Sequence, residues 1–153
     1  MQHKVLYASD IHGNEIQYQK LVDHAVKISA NTIIIGGDIA PKRCLADNYI
    51  GVQRQFFEHR LPKLLYPLKE KLPDSKLFLM MSNDDCKANS DVLEKHSPGL
   101  YQLIHGERIN LTKEFDIIGY SYVPITPFGI KDWEKFDLSN VPPDLNEEYK
   151  NRK

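Results

Sequence analysis

The stretch Lys4–Asn14, KVLYASDIHGN, decides the fold. Its first half, Lys4–Ser9 (KVLYAS), is a short apolar run that ends in polar residues, as a strand entering a core does. Its second half, Asp10-Ile11-His12-Gly13-Asn14, is polar and turn-forming, and Asn14 stands where a helix N-cap belongs. A helix is predicted from Glu15 to Ala30, with Tyr18, Leu21, Val22 and Ala25 at i, i+3, i+4 and i+7. The alternation then continues. Thr32–Ile35 (TIII) is a β-branched strand stopped by Gly36-Gly37. A longer helical stretch carries Val52, Phe56, Phe57, Leu61, Leu64, Leu65 and Leu68 at helical spacing, and Pro62 and Pro67 are expected to break it into two pieces. Asp47 and Asn48 read as its start. Lys76–Met81 (KLFLMM) is a third apolar strand. Strand, helix, strand, helix, strand predicts a parallel α/β sheet with right-handed crossovers.

The texture changes after about residue 98. Leu100–Ile104, Arg108–Leu111 and Phe115–Tyr120 read as short strands, with turns at His105-Gly106 and near Lys113, and predict a β-meander added to the parallel core. Beyond Val123, four prolines (Pro124, Pro127, Pro142 and Pro143) and a charged end, Asn146–Lys153, predict loop and tail. No linker or internal repeat divides the chain. The expected organisation is one domain over 1–153, with a βαβαβ core at 1–97 and a meander with a Pro-rich loop and tail at 98–153.

Composition bounds the function. A chain of 153 residues can bury roughly 68–70% of its unfolded surface, enough for one core. Twenty basic against 21 acidic residues leave a net charge of −1, which argues against broad nucleic-acid binding. No apolar run approaches the roughly 20 residues that a membrane helix needs. No secretory signal is visible after Met1. Cys44 and Cys86 are too few for a disulfide scaffold and read as reduced thiols in a cytoplasmic protein.

The chemistry collects at three equivalent places. Asp10–Asn14 follows the first strand, Gly36-Gly37-Asp38 the second, and Ser82-Asn83-Asp84-Asp85 the third. In a parallel sheet all three lie at the carboxyl edge, where open α/β sheets bind ligands. Asp10 and His12 are two apart, so an extended segment would point both the same way. Carboxylate, imidazole and amide oxygen suit Mn, Fe, Zn or Mg, and do not distinguish among them. Asp38 could bridge two cations.

These residues resemble a family. D-x-H-G-N at Asp10–Asn14, G-D at Gly37-Asp38 and N-D at Asn83-Asp84 are similar, in order and strand context, to the motifs of the calcineurin-like metallophosphoesterases. The match spans residues 4 to 85; Gly119-Tyr-Ser-Tyr-Val-Pro and Lys131-Asp-Trp-Glu extend it toward a bacterial subgroup. The resemblance implies the N-terminal half of a four-layer α/β sandwich. It implies that Asp10 and His12 bind a first metal, that Asp38 bridges two, and that Asn83 binds the second and can touch a phosphate. It implies a metal-dependent phosphoesterase that hydrolyses small phosphomonoesters or phosphodiesters with a metal-activated water. Catalytic roles then fall to Asp10, His12, Asp38, Asn83 and Asp84.

The departures carry their own expectations. Ser82 replaces the family's glycine. Asp84 stands where many members carry the histidine that protonates the leaving group, and an Asp beside two cations would be a poor acid. Asp85 occupies the terminal acidic position and is expected to support the loop. The family's later G-H and G-H-x-H have no counterpart, since the last histidine is His105. The chain is therefore expected to be incomplete, and the alternative function is a truncated, inert or weakly metal-binding module. An exposed sheet edge would then invite self-association.

Neighbouring residues have plainer readings. His24 and His59 read as structural residues of their helices; His96 and His105 flank the meander, and either could stand in for a missing ligand, though their spacing argues against it. Cys86 reads as a buried thiol. Lys42 and Arg43 could meet a phosphate, or form a solvated surface pair. Trp133, with Phe128 and Tyr122, forms a wall over the site or packs a Pro-rich loop onto the sheet. An aspartyl-phosphate phosphatase would need a second Asp where His12 stands. No G-x-x-x-x-G-K-[ST] or G-x-G-x-x-G occurs, which argues against P-loop and Rossmann folds.

Overall fold

A computed structural model describes residues 2–42, 48–127 and 129–136. Arg43, Cys44, Asp47, Phe128 and the tail from 137 onward lie outside the described residues. The chain is mixed α/β: a parallel four-stranded sheet and a small antiparallel one.

Strand β1 (Val5–Ala8) leads through the first polar loop into helix α1 (Glu15–Ile28). Asn14 caps it: its Oδ1 accepts the Ile16 N–H at 3.1 Å and the Gln17 N–H at 3.2 Å. Tyr18, Leu21, Val22 and Ala25, the stripe read from the sequence, are buried. Strand β2 (Thr32–Ile35) lies beside β1 in parallel, Leu6 opposite Ile33 and Ala8 opposite Ile35. Ile33 and Ile35 are fully buried, as a strand covered on its core face requires.

Helix α2 (Tyr49–Gln55) starts at Asn48, whose Oδ1 accepts the Gly51 N–H at 2.9 Å. A π-helical turn (Phe56–Arg60) joins it to helix α3 (Leu61–Lys71). The expected break at Pro62 and Pro67 is corrected here. Pro62 sits in the first turn of α3 and Pro67 inside it. A proline ring at 62 would press on the carbonyl four residues back in a regular helix. The turn is widened instead, with the Leu61 N–H reaching back to the Phe56 carbonyl, and the helical path continues. Pro67 deprives the Lys63 carbonyl of its usual partner; Lys63 is exposed, so solvent can supply one.

Strand β3 (Lys76–Leu79) pairs in parallel with β2. A 3₁₀ turn (Lys87–Asn89) and a short helix α4 (Ser90–Glu94) then return the chain, so that β4 (Gln102–Leu103) joins β3 in parallel. This corrects the meander: its first member belongs to the main sheet, in the order β1-β2-β3-β4. Helix α4 is too short to leave a periodic signal, and without it the crossover is invisible in the sequence. The other two segments form the antiparallel pair β5 (Arg108–Asn110) and β6 (Asp116–Ile118). No helix among the described residues is long and apolar enough to cross a membrane.

Candidate metal centre

The three polar loops meet at the carboxyl ends of β1, β2 and β3. The first two are laced by backbone hydrogen bonds that continue past the strands: Asp10 N–H to the Gly37 carbonyl at 3.2 Å, His12 N–H to Asp38 at 2.8 Å, and Gly13 N–H to Ile39 at 2.8 Å. Two glycines permit this approach. Gly13, at φ +68°, leaves room for Pro41, whose Cγ would lie 2.5 Å from an added Cβ. Gly37, at φ +109°, leaves room for Ser82, whose Cβ would lie 2.2 Å away, so the second loop can lie against the third.

Asp10, His12 and Asp38 come together here. One donor atom from each lies within 4.8 Å of the others. The sequence reading of an extended Asp10-Ile11-His12 is corrected: Asp10 has φ 57° and His12 φ 49°, both left-handed, and the turn rather than the pleat brings the side chains together. Asp38 is left-handed too, at φ 53°. Of four non-glycine residues with positive φ among the described residues, three are these candidate ligands. Such conformations cost of order 1–3 kcal/mol each and persist where the surroundings enforce them, commonly at functional sites.

The electrostatics are those of a crowded anionic site. Asp38 is buried, and burial pushes its carboxyl above the ordinary value; the nearby Asp84 and Asp10 charges push the same way, against the Asp84 N–H and His12. His12 Nε2 lies 4.0 Å from Asp10 Oδ1. His12 Nδ1 is buried with no hydrogen-bond partner. Two carboxylates and an imidazole with one unpartnered nitrogen make the donor set of a first-row divalent cation, so these residues fit one.

The third loop is fixed from several sides. The Asp84 N–H donates to Asp38 Oδ1 at 3.0 Å. The fully buried Asp85 accepts from the Ile39, Ala40 and Ser82 N–H groups and ties the second loop to the third. Burial pushes its carboxyl up to about 7, against those three donors. Asn83 is half-buried, one residue before the N–H that binds Asp38, and its Oδ1 accepts from Ser82 Oγ at 3.3 Å. Lys42 Nζ lies 2.8 Å from Oδ2 of the buried Asp84, with half of the lysine side chain still exposed; Arg43, its expected neighbour, lies outside the described residues. A groove of about 300 Å³ opens beside Asp10 and includes Lys20 and His24 in its walls.

Sequence reasoning missed the supports. Gln53 is fully buried; its Nε2 donates to the Asp84 carbonyl at 2.7 Å and its Oε1 accepts the Cys86 N–H at 2.7 Å. The Tyr49 hydroxyl also donates to the Asp84 carbonyl, at 3.1 Å. A buried Gln within an otherwise apolar helical stretch was the available signal. Trp133 is buried in the core and donates from Nε1 to the Asp85 carbonyl at 2.9 Å. Cys86 is a buried thiol, pushed up to about 11 chiefly by burial.

His105 stands apart from the cluster. Its ring packs edge-on against Tyr122 and Trp133 at centroid distances of 5.1 and 5.0 Å, and its Nδ1 accepts the Ser121 N–H at 3.0 Å. Burial, with Lys87 and Lys135 nearby, lowers its pKa, so folding favours the neutral ring. Its contribution is therefore present above the unfolded histidine value of about 6.5 and is lost as pH falls through the folded value. The melting temperature should therefore fall as pH drops from 7.5 to 5.5. His105→Phe should lose that part of the pH dependence and, at pH 7.5, about 1–2 kcal/mol for the stranded Ser121 N–H. An unchanged pH slope in the variant would assign it elsewhere.

The chain is similar to a solved crystal structure at a TM-score of 0.64 and 16% identity, across 100% of this chain and 65% of that one. At that identity the likeness concerns the fold alone, and this chain spans about two thirds of the other's length. No family model and no curated protein matches the chain.

Proposed function

We propose that the chain carries the metal site of a calcineurin-like, metal-dependent phosphoesterase that acts on small phosphomonoesters or phosphodiesters. The observation that carries this reading is the meeting of Asp10, His12 and Asp38, from two strand ends, within 4.8 Å. The orphaned His12 Nδ1 and the three left-handed ligand positions support it. On this reading the parallel sheet is part of the four-layer sandwich.

Asp10, His12 and Asp38 would hold a divalent cation. Such an ion supplies Lewis-acid polarisation of a phosphoryl oxygen and a lowered pKa for its water. The residues around it do the rest. Asn83 offers an amide to a phosphoryl oxygen or to a second ion. The groove beside Asp10 offers Lys20 to the ester's negative charge. Asp84 is committed to Lys42 and does not serve as the leaving-group acid. The leaving oxygen takes its proton from solvent, which favours esters whose leaving groups are already good.

The test is hydrolysis of a chromogenic phosphodiester and a chromogenic phosphomonoester with Mn²⁺ and with EDTA. Turnover is expected to need the metal, and to fall at least about 100-fold in His12→Ala, since loss of an outer partner alone costs 10–100-fold. Equal turnover in EDTA would overturn the reading. Mn²⁺ binding without turnover of either ester would support the inert module instead.

A further inference from the structure

We propose that Lys42 is the second cation of this centre, so that the site holds one metal ion and a fixed ammonium in place of two metals. The inference rests on the metal-site reading above and deepens it.

Asp84 is buried, and a buried carboxylate needs a partner. It has one in the Lys42 ammonium, 2.8 Å from Oδ2. The pair belongs to the centre, because the Asp84 N–H binds the carboxylate of Asp38 at 3.0 Å. Asp84 is also held in place from behind, since Tyr49 and Gln53 both donate to its carbonyl. Asp38 and Asp10 add to the attraction on the ammonium, which holds its proton more tightly than an ordinary lysine. The lysine is thus held by Asp84, whose backbone N–H binds one of the proposed ligands, Asp38.

Like-charge repulsion leads to the same stoichiometry. The centre already holds one fixed cation, since the Lys42 ammonium lies 2.8 Å from the Asp84 carboxylate. A second divalent cation would have to enter beside an ammonium already paired to Asp84, against like-charge repulsion in a partly buried site. Lys42 would offer a phosphoryl oxygen a point charge, as lysines do at phosphates, but no second metal-bound water.

The test counts metal, not activity. The full chain is loaded with Mn²⁺, dialysed, and assayed for bound metal and for its electron paramagnetic resonance spectrum. The wild type is expected to hold one Mn²⁺ per chain with an uncoupled six-line signal. Lys42→Met keeps much of the apolar stem, removes the charge and frees Asp84; it should rise toward two Mn²⁺ per chain with a broadened, exchange-coupled signal. Lys42→Arg should stay at one. Half of the Lys42 side chain is exposed, so all three chains should fold, which circular dichroism checks. Two coupled ions in the wild type, or a single ion in Lys42→Met, would overturn the proposal while leaving the metal site intact. No Mn²⁺ in the wild type would overturn the metal reading itself.

Discussion

Asp38→Asn is expected to weaken Mn²⁺ binding by more than about 100-fold and to raise the stability of the metal-free chain. The two effects have one origin. Asp38 donates a charged oxygen to the cluster with Asp10 and His12, and an amide oxygen is a far poorer ligand for a hard divalent ion. The geometry, however, survives the change. The Asn Oδ1 can still accept the Asp84 N–H that Asp38 accepts at 3.0 Å. Without metal, the Asp38 carboxyl is raised by burial and by its acidic neighbours. A raised carboxyl contributes stability below its unfolded value, near pH 4, and loses it as pH rises through the folded value. At neutral pH the ionised group is therefore a burden on the metal-free fold, and the amide is not. Melting curves at pH 7 with EDTA and with saturating Mn²⁺ separate the effects. The variant should melt higher than wild type in EDTA and gain little from Mn²⁺, whereas wild type should gain substantially. A variant that melts lower in EDTA would mean that Asp38 is structural first. Activity is expected to fall with the lost ion.

The parts of this architecture that could be read from the chain are those written in local chemistry. Three apolar runs, each ended by Gly, Asp or Asn, place three strands and three loops, and the pairing of β1, β2 and β3 follows from them. Asn14 as a cap and the Tyr18–Ala25 stripe are likewise local. What stayed hidden depends on geometry between segments. The π-helical turn exists because Pro62 must be accommodated without losing the burial of Phe56 and Phe57 on one side and Leu61 and Leu65 on the other. The parallel placement of β4 depends on a helix too short to signal itself. At the centre, residue types and order point to Asp10, His12 and Asp38, but not to the left-handed turn that joins the first two. Lys42 illustrates the limit best. Four positions after Asp38 it looks like any surface lysine, and only the folding of the second loop against the third makes it the partner of a buried carboxylate.

That folding depends on Asp85, and its loss should be the most damaging single change to the fold around the site. Asp85→Ala is expected to cost about 3–5 kcal/mol, because it strands three buried backbone donors at once. Both oxygens of the carboxylate are in use. Oδ1 accepts from Ile39 and Ala40 at 3.0 Å each, and Oδ2 accepts from Ile39 and Ser82 at 3.1 Å each. Asp85→Asn should therefore fail to rescue: whichever way the amide turns, its NH₂ faces an N–H. Burial raises this carboxyl to about 7, so part of its contribution is lost as pH rises through that value; at pH 8 the carboxylate is ionised, both oxygens accept, and the loss in the variant reads the hydrogen bonds. For a chain of this size each kcal/mol is worth roughly 2–4 °C, so the melting temperature should fall by roughly 6–20 °C. The site should suffer with the fold. Ile39 and Ala40 directly follow Asp38, and Ser82 directly precedes Asn83, so Asp85 holds the second loop in register with the third. Mn²⁺ affinity in Asp85→Ala is expected to drop even at temperatures where the variant is folded. A variant that melts lower but binds Mn²⁺ as wild type does would place the register of the loops elsewhere. Gln53 and Trp133, which grip the carbonyls of Asp84 and Asp85, would then be the residues holding it.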